Sequence, residues 1–372
     1  VTEYTVTELL KQMAALFTSA TPTEIFGEPA GDKDARHRAR RKIYLRFGKV
    51  VHPDRCAPSD KDLADKAWKR LRELYDLAEA EAPIPKITIQ SKKRTYAIDS
   101  VVSSDDLSVL YRCTVPDGTS VLMSTCRDAR NNDLYRAEAR SLRLLRTPDR
   151  PEASGFFPYF PEVLDSFEFS ENDRVRAANV YPDRPGMYSL DEIKTAYPDG
   201  IDPRHVAWIW RQLLMALGYA HVRNVIHGGV LPTHVFVDPA HHDLVLTGWF
   251  GSVNIKEEPT GHVPVMLKDF TFWYPREVAT KAVPSPATDI AMSARCMIDL
   301  LGGNPITGRM GTPRAIKNTP VRLAGLLQAC VLPGASGRPQ EAWALRKQFT
   351  ALMDVLWGPR KRVVLDMPRK QH

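Results

Sequence analysis

HGGVLPTHVFV, residues 227–237, decides how the larger part of the chain is read. It follows VAWIWRQLLMALGYA (206–220), an apolar stretch interrupted by Arg211, too short to span a bilayer and read as a buried helix. Two glycines and Pro232 make the stretch a loop, and the β-branched and aromatic run at its end makes a strand. Loops set between rigid elements are where chemistry-bearing side chains concentrate. Yet three of its positions hold Gly229, Leu231 and His234, with no acid, lysine or carboxamide among them.

The chain has 372 residues, long enough for two or three domains with real cores. Its 29 prolines point to many turns, and its formal charge of +7 admits nucleic acid, anionic membrane or an acidic protein as partner. Cys56, Cys113, Cys126, Cys296 and Cys330 are scattered and odd in number, which favours reduced thiols and a cytoplasmic setting over a disulfide frame or zinc site. The first residues, VTEYTVTELLKQ, lack the basic start of a signal peptide.

Upstream of the loop, TYAIDSVV and LSVLYRCTV alternate as strands, PDG turns into TSVLMSTC, and LYRAEARSLRLL has a helical period. VLDSFEFS and RVRAANVY then read as strands. Downstream come LVLTGWFGSV, WYPREV, SPATDIAMSARCMIDLLGGNP and LLQACVLPGASGRPQEAWAL. Strands around one helix, then a mostly helical region, resemble the two lobes of a protein kinase from about residue 95 to 355. Within that resemblance SLDEI matches the first small helix of the large lobe. Glu138 falls where the family keeps a helix glutamate that pairs with a strand lysine.

The resemblance implies what each position should carry. Phosphoryl transfer rests on positioning and charge neutralisation, so its requirements are few. The strand lysine should fall near Ser124, but no lysine occurs from Val121 to Arg130. The catalytic-loop base should be at Gly229, its neighbouring lysine at Leu231 and the metal-holding asparagine at His234. The magnesium-binding aspartate falls on Gly248 or Trp249. VVSSDDLS, where a glycine-rich loop should cover phosphates, has no glycine and two acids. Glu277 and Arg338 match a structural ion pair, and Asp289 an anchor of the catalytic-loop backbone. Framework charges remain while catalytic ones are missing, so the resemblance implies a pseudokinase: no enzyme, no catalytic residue and no bound ATP or magnesium.

The first third is different. Residues 33 to 49, KDARHRARRKIYLRFGK, hold eight Lys or Arg against one Asp. Ala39, Ile43, Phe47 and Val50 line one face of a helix, and Leu63, Ala67, Leu71, Leu74 and Ala78 line one face of a second. Two such helices should pair as an antiparallel hairpin. The loop between them begins VVHPDRC. A basic helix, then His52-Pro53-Asp54, then a second amphipathic helix resembles the J domain of DnaJ-type co-chaperones. TPTEIFGE would be its short opening helix. The resemblance implies docking on a DnaK-type heat-shock chaperone, with Arg38, Arg41, Lys42, Arg46 and Lys49 supplying charge and His52, Pro53 and Asp54 stimulating ATP hydrolysis. Little aromatic interleaving on the basic face argues against nucleic acid.

The expected fold class is therefore α+β, a small all-α J-domain hairpin followed by a two-lobed kinase-like fold. Its expected parts are an N-terminal helix over 1–21, the J domain over 22–82, a linker over 83–94, lobes over 95–178 and 179–356, and a mobile basic tail over 357–372. The function expected is recruitment and stimulation of the chaperone, with the second domain bringing a client protein of unknown identity. The alternatives are a divergent transferase using ATP, or a signalling scaffold that has lost the chaperone contact. His221, His227, His234, His241 and His242 match no zinc spacing, and His227 is expected to make a structural hydrogen bond. Trp249 is expected either to fill the former metal cleft or to be a core aromatic. Glu138, without its lysine, is expected to face solvent or an arginine.

Overall fold

The computed structural model describes residues 6–27, 33–81, 87–171, 174–359 and 362–368. Two compact units meet at the boundary between Ile87 and Thr88.

The first unit is helical: α1 (Val6–Ser19), α2 (Pro22–Phe26), α3 (Lys33–Val51) and α4 (Lys61–Glu81). A capping box of Thr21 and Glu24, with Pro22 at the first helical position, starts α2. The expected hairpin is present. His37 meets Glu79, Tyr44 packs on Tyr75, and Trp68 packs near the C-terminal end of α3, so α3 and α4 run antiparallel. Leu10, Phe17, Phe26, Val51, Leu71 and Leu74 form the buried centre. A Cβ on Gly48 would stand 2.9 Å from the Trp68 ring, so glycine lets the two helices close there.

The second unit opens with a six-stranded antiparallel sheet: β1 (Thr88–Gln90), β2 (Thr95–Ser104), β3 (Ser108–Thr114), β4 (Ser120–Cys126), and then, after α5 (Asn132–Leu145), β5 (Asp165–Glu171) and β6 (Arg174–Pro182). The strand order is β1-β2-β3-β4-β6-β5. The expected linker is thus partly wrong. Residues 83–86 lie outside the described residues, but Thr88, Ile89 and Gln90 pair with Ala97, Tyr96 and Thr95. Ser91 closes that hairpin and donates to Asp165 at 2.6 Å, which Tyr96 also reaches at 3.0 Å. Two bonds to one buried carboxylate hold this edge strand in place.

A mostly helical lobe follows: β7 (Tyr188–Ser189), α6 (Leu190–Ala196), α7 (Pro203–Val222), β8 (Val225–Ile226), β9 (Val235–Asp238), β10 (Asp243–Leu246), β11 (Val253–Asn254), α8 (Arg276–Ala279), α9 (Pro286–Leu300), α10 (Pro313–Asn318), α11 (Val321–Cys330) and α12 (Ala342–Trp357). Helix α7 is apolar almost all round because it is packed almost all round. Each fully buried Leu or Ile there contributes roughly 1.5–3 kcal/mol. Two deep polar contacts tie it to α9: Trp210 Nε1–H donates to Ser293 at 3.0 Å, and His221 Nε2–H to Asp289 at 2.9 Å.

The expectation of a mobile tail also needs correcting. Residues 362–368 lie along this lobe, with Leu365 buried. The Val363 carbonyl accepts from His242 Nε2–H at 2.9 Å, the Pro368 carbonyl from Tyr188 at 3.1 Å, and the Asp366 carbonyl from Tyr197. A basic stretch without a core period still docks when its carbonyls and one leucine find partners. No described helix is long and apolar enough to cross a membrane.

Candidate functional site

In the first unit, α3 ends at Val51 and His52 caps a single 3-10 turn over Pro53–Arg55. Pro53 cannot continue the α-helical ladder, which ends the helix there. His52 Nδ1 accepts from the Asp54 N–H at 3.2 Å, and its ring packs edge-on against Trp68 at 4.9 Å. The Asp54 carboxylate is 84% exposed, so the turn presents it to solvent on a fixed backbone. Arg38, Arg41, Lys42, Arg46 and Lys49 are all exposed. Their spacings of three, one, four and three residues set them along one face of α3. None of the five is in an ion pair among the described residues. Leu45 lies inside the stripe, 54% exposed. His37 and Arg40 turn away from it toward Glu79.

In the second unit a cleft of about 480 Å³ lies between the sheet and the helical lobe. Ser124, Glu138, His234 and Gly248 all line it, so the structure brings together positions 110 residues apart in sequence. Ser124 Oγ is 3.1 Å from the Tyr135 hydroxyl, and no lysine lines the cleft. Glu138 corrects the expectation of exposure or an arginine partner. It is buried, and accepts from Tyr181 at 2.8 Å, Asn179 Nδ2 at 3.0 Å and the Trp249 N–H at 3.1 Å. Burial raises its carboxyl above the ordinary range, and those three bonds oppose the rise. Asn179 and Tyr181 were not found from sequence, because β6 reaches α5 only through the fold.

The loop over residues 227–237 is tied down by three groups. Asp289, fully buried, accepts from the His227 and Gly228 N–H groups at 2.8 Å each and from His221 Nε2–H at 2.9 Å. His227 makes the expected structural bonds, donating from Nε2 to the Thr247 carbonyl at 2.8 Å and accepting the Gly229 N–H at Nδ1 at 3.1 Å. Burial pushes its pKa down to about 4. Leu231 is buried in the core. His234 donates from Nδ1 to the Gly229 carbonyl at 2.7 Å, and burial lowers its pKa as well.

Gly248, with φ +77°, faces His234: a Cβ there would stand 2.6 Å from the imidazole. Of the two registers for the metal-binding segment, Gly248 is the one at the cleft, whereas Trp249 is a core aromatic, 4.5 Å from His227 and 5.5 Å from Phe160. Its indole N–H donates to the Leu246 carbonyl at 2.7 Å. Elsewhere Arg338 donates to Glu277 at 2.6 and 3.4 Å and to the Leu332 and Pro333 carbonyls.

The charge lining the cleft is one-sided. Asp105, Asp106, Glu138, Glu162, Asp183, Asp191 and Asp269 contribute carboxyls, against Arg112 and Arg184. Arg112 is held by Asp183 at 2.8 Å, and Arg184 donates to the Pro158 carbonyl. Residue 248, where the kinase resemblance expects a metal carboxylate, has no room for a side chain beside His234, and carboxyls outnumber guanidiniums along the lining. No cluster of three or more metal-ligating side chains occurs among the described residues.

No known protein-family model matches the chain. No curated protein matches it either. Solved structures do. The PknI kinase domain of Mycobacterium tuberculosis is 16% identical over 69% of this chain and 95% of its own, with a TM-score of 0.51. A single-substitution variant of that domain gives 17% identity over 69% and 94%, with the same TM-score. The second unit therefore has a protein-kinase-like two-lobed α+β fold, preceded by the N-terminal helices.

Proposed function

We propose that the chain is a co-chaperone in which a J-domain-like hairpin recruits and stimulates a DnaK-type heat-shock chaperone, while a catalytically silent kinase-like unit binds a client protein. The observation that carries the first half is the pairing of an exposed Asp54, fixed by the His52 cap, with five cations along one face of α3 that are in no ion pair among the described residues. Cations in a row speed encounter with an acidic surface, and one fixed carboxylate adds specificity. The cleft supports the second half. It has lost lysine, base and metal carboxylate, while Glu277–Arg338 and Asp289, which serve the fold, are intact.

The test is single-turnover ATP hydrolysis by a DnaK-type chaperone with the full chain added. Stimulation that disappears in Asp54→Asn, with the melting curve unchanged, is the expected result. Equal stimulation by the variant removes the mechanism. Calorimetry with ATP and magnesium tests the second half: saturable, magnesium-dependent binding would favour a transferase instead. A pull-down lacking any DnaK-type protein would favour a scaffold.

A further inference from the structure

A second cavity, about 630 Å³, shares no residue with the cleft between the lobes. It lies between α7, the turn leading into β10, the end of α12 and the segment after it. Trp208, Met353, Trp357 and Val363 give it apolar walls. Arg204, Arg211 and Arg362 give it three guanidiniums against a single carboxylate, that of Asp354. Neither Arg204 nor Arg362 is in an ion pair among the described residues.

The Trp208 ring is fixed, stacked at 4.3 Å and 4° on His242, whose Nε2–H is already given to the Val363 carbonyl. One wall thus presents a rigid aromatic surface, and the rim presents Arg204 and Arg362 with no ion-pair partner among the described residues.

We propose that this cavity is a binding site for an organic oxyanion with an apolar body, a phosphate or carboxylate carried on a ring or chain. The oxyanion sits between Arg204 and Arg362, and the body packs on Trp208, Trp357 and Met353. Guanidiniums suit this task because their planar fork matches two oxygens at once. The volume far exceeds that of a bare phosphate, and the apolar walls have no role for one. The site is independent of the chaperone and pseudokinase readings.

The test uses the full chain and one aromatic ring carrying different heads: 1-naphthyl phosphate, 1-naphthoate, 1-naphthol and 1-naphthylmethylamine, with inorganic phosphate alongside. Calorimetry should rank the two anions above naphthol and place the amine last. Phosphate above carboxylate would assign a phosphorylated ligand, and the reverse order an organic acid. Arg204→Gln and Arg362→Gln should each weaken the anions about tenfold and leave naphthol unchanged. Asp269→Asn, in the other cleft, should change nothing. The proposal is overturned if naphthol binds as tightly as the anions, if inorganic phosphate alone binds as well, or if only the Asp269 variant alters affinity. Arg204 and Arg362 are exposed, so their variants should leave the fold intact.

Discussion

Gly248 and His234 are mutually dependent: the imidazole lies where a side chain on residue 248 would begin, 2.6 Å from its Cβ position. The backbone at Gly248 is also left-handed, which disfavours any other residue. Placing an acid at residue 248 therefore requires more than one substitution. Gly248→Asp should destabilise the second unit by about 2–4 kcal/mol, the sum of overpacking and backbone strain. Adding His234→Asn should recover only the overpacking part. Urea unfolding of the two variants measures the split, and an unaffected single variant would refute the fit.

Glu277 and Arg338 should behave as a buried pair. The guanidinium is 1% exposed and the carboxylate 13%, and the same arginine holds two carbonyls of the chain before it. Removing one partner leaves the other buried and unmatched, at about 3–5 kcal/mol. Arg338→Ala should cost more than Glu277→Gln, since glutamine still accepts a bond. Chemical denaturation of both variants checks the order.

His227 should stay neutral well into acid. Its folded pKa of about 4 lies below the ordinary 6.5, so its contribution is full above about pH 6.5 and is lost as pH falls toward 4. The loss reaches about 3 kcal/mol at the lower end, because the unfolded chain takes up the proton more readily. Lowered His234 acts in the same direction, whereas raised Glu138 acts in the opposite one. The ring resonances of His227 should show no protonation at pH 5.5; a midpoint near 6.5 would contradict the buried geometry.

The stripe on α3 should act through rate. Arg41→Glu with Lys42→Glu should slow association with a DnaK-type chaperone by roughly tenfold at low salt, with little change in dissociation. Raising ionic strength should shrink the difference, because the Debye length falls to about 8 Å at 0.15 M. Stopped-flow binding across a salt series separates this from a packing defect.

How much of this was legible in the sequence depends on how local each signal is. The α3–α4 hairpin, the strands around α5 and the order of elements through α12 follow from period, turn residues and motif spacing. The anchoring of the loop by Asp289 follows from the kinase resemblance. Strand β1 was missed although KITIQ (86–90) alternates, because the run is short and the prolines at 83 and 85 mark a linker. The donors to Glu138 were missed because Asn179 and Tyr181 lie 41 and 43 residues away and meet it only once β6 packs on α5. The docking of residues 362–368 rests on backbone carbonyls, which no side-chain pattern announces.

The three bonds converging on Asp289 have a further consequence. The C-terminal end of α7, the loop backbone and the first turn of α9 share one fixed centre, so they lose almost no freedom when another molecule settles against them. A surface already immobilised before contact avoids the ordering entropy that weakens binding by floppy loops. A lobe braced in this way keeps the backbone of residues 227 and 228 in one conformation whether or not anything binds beside it.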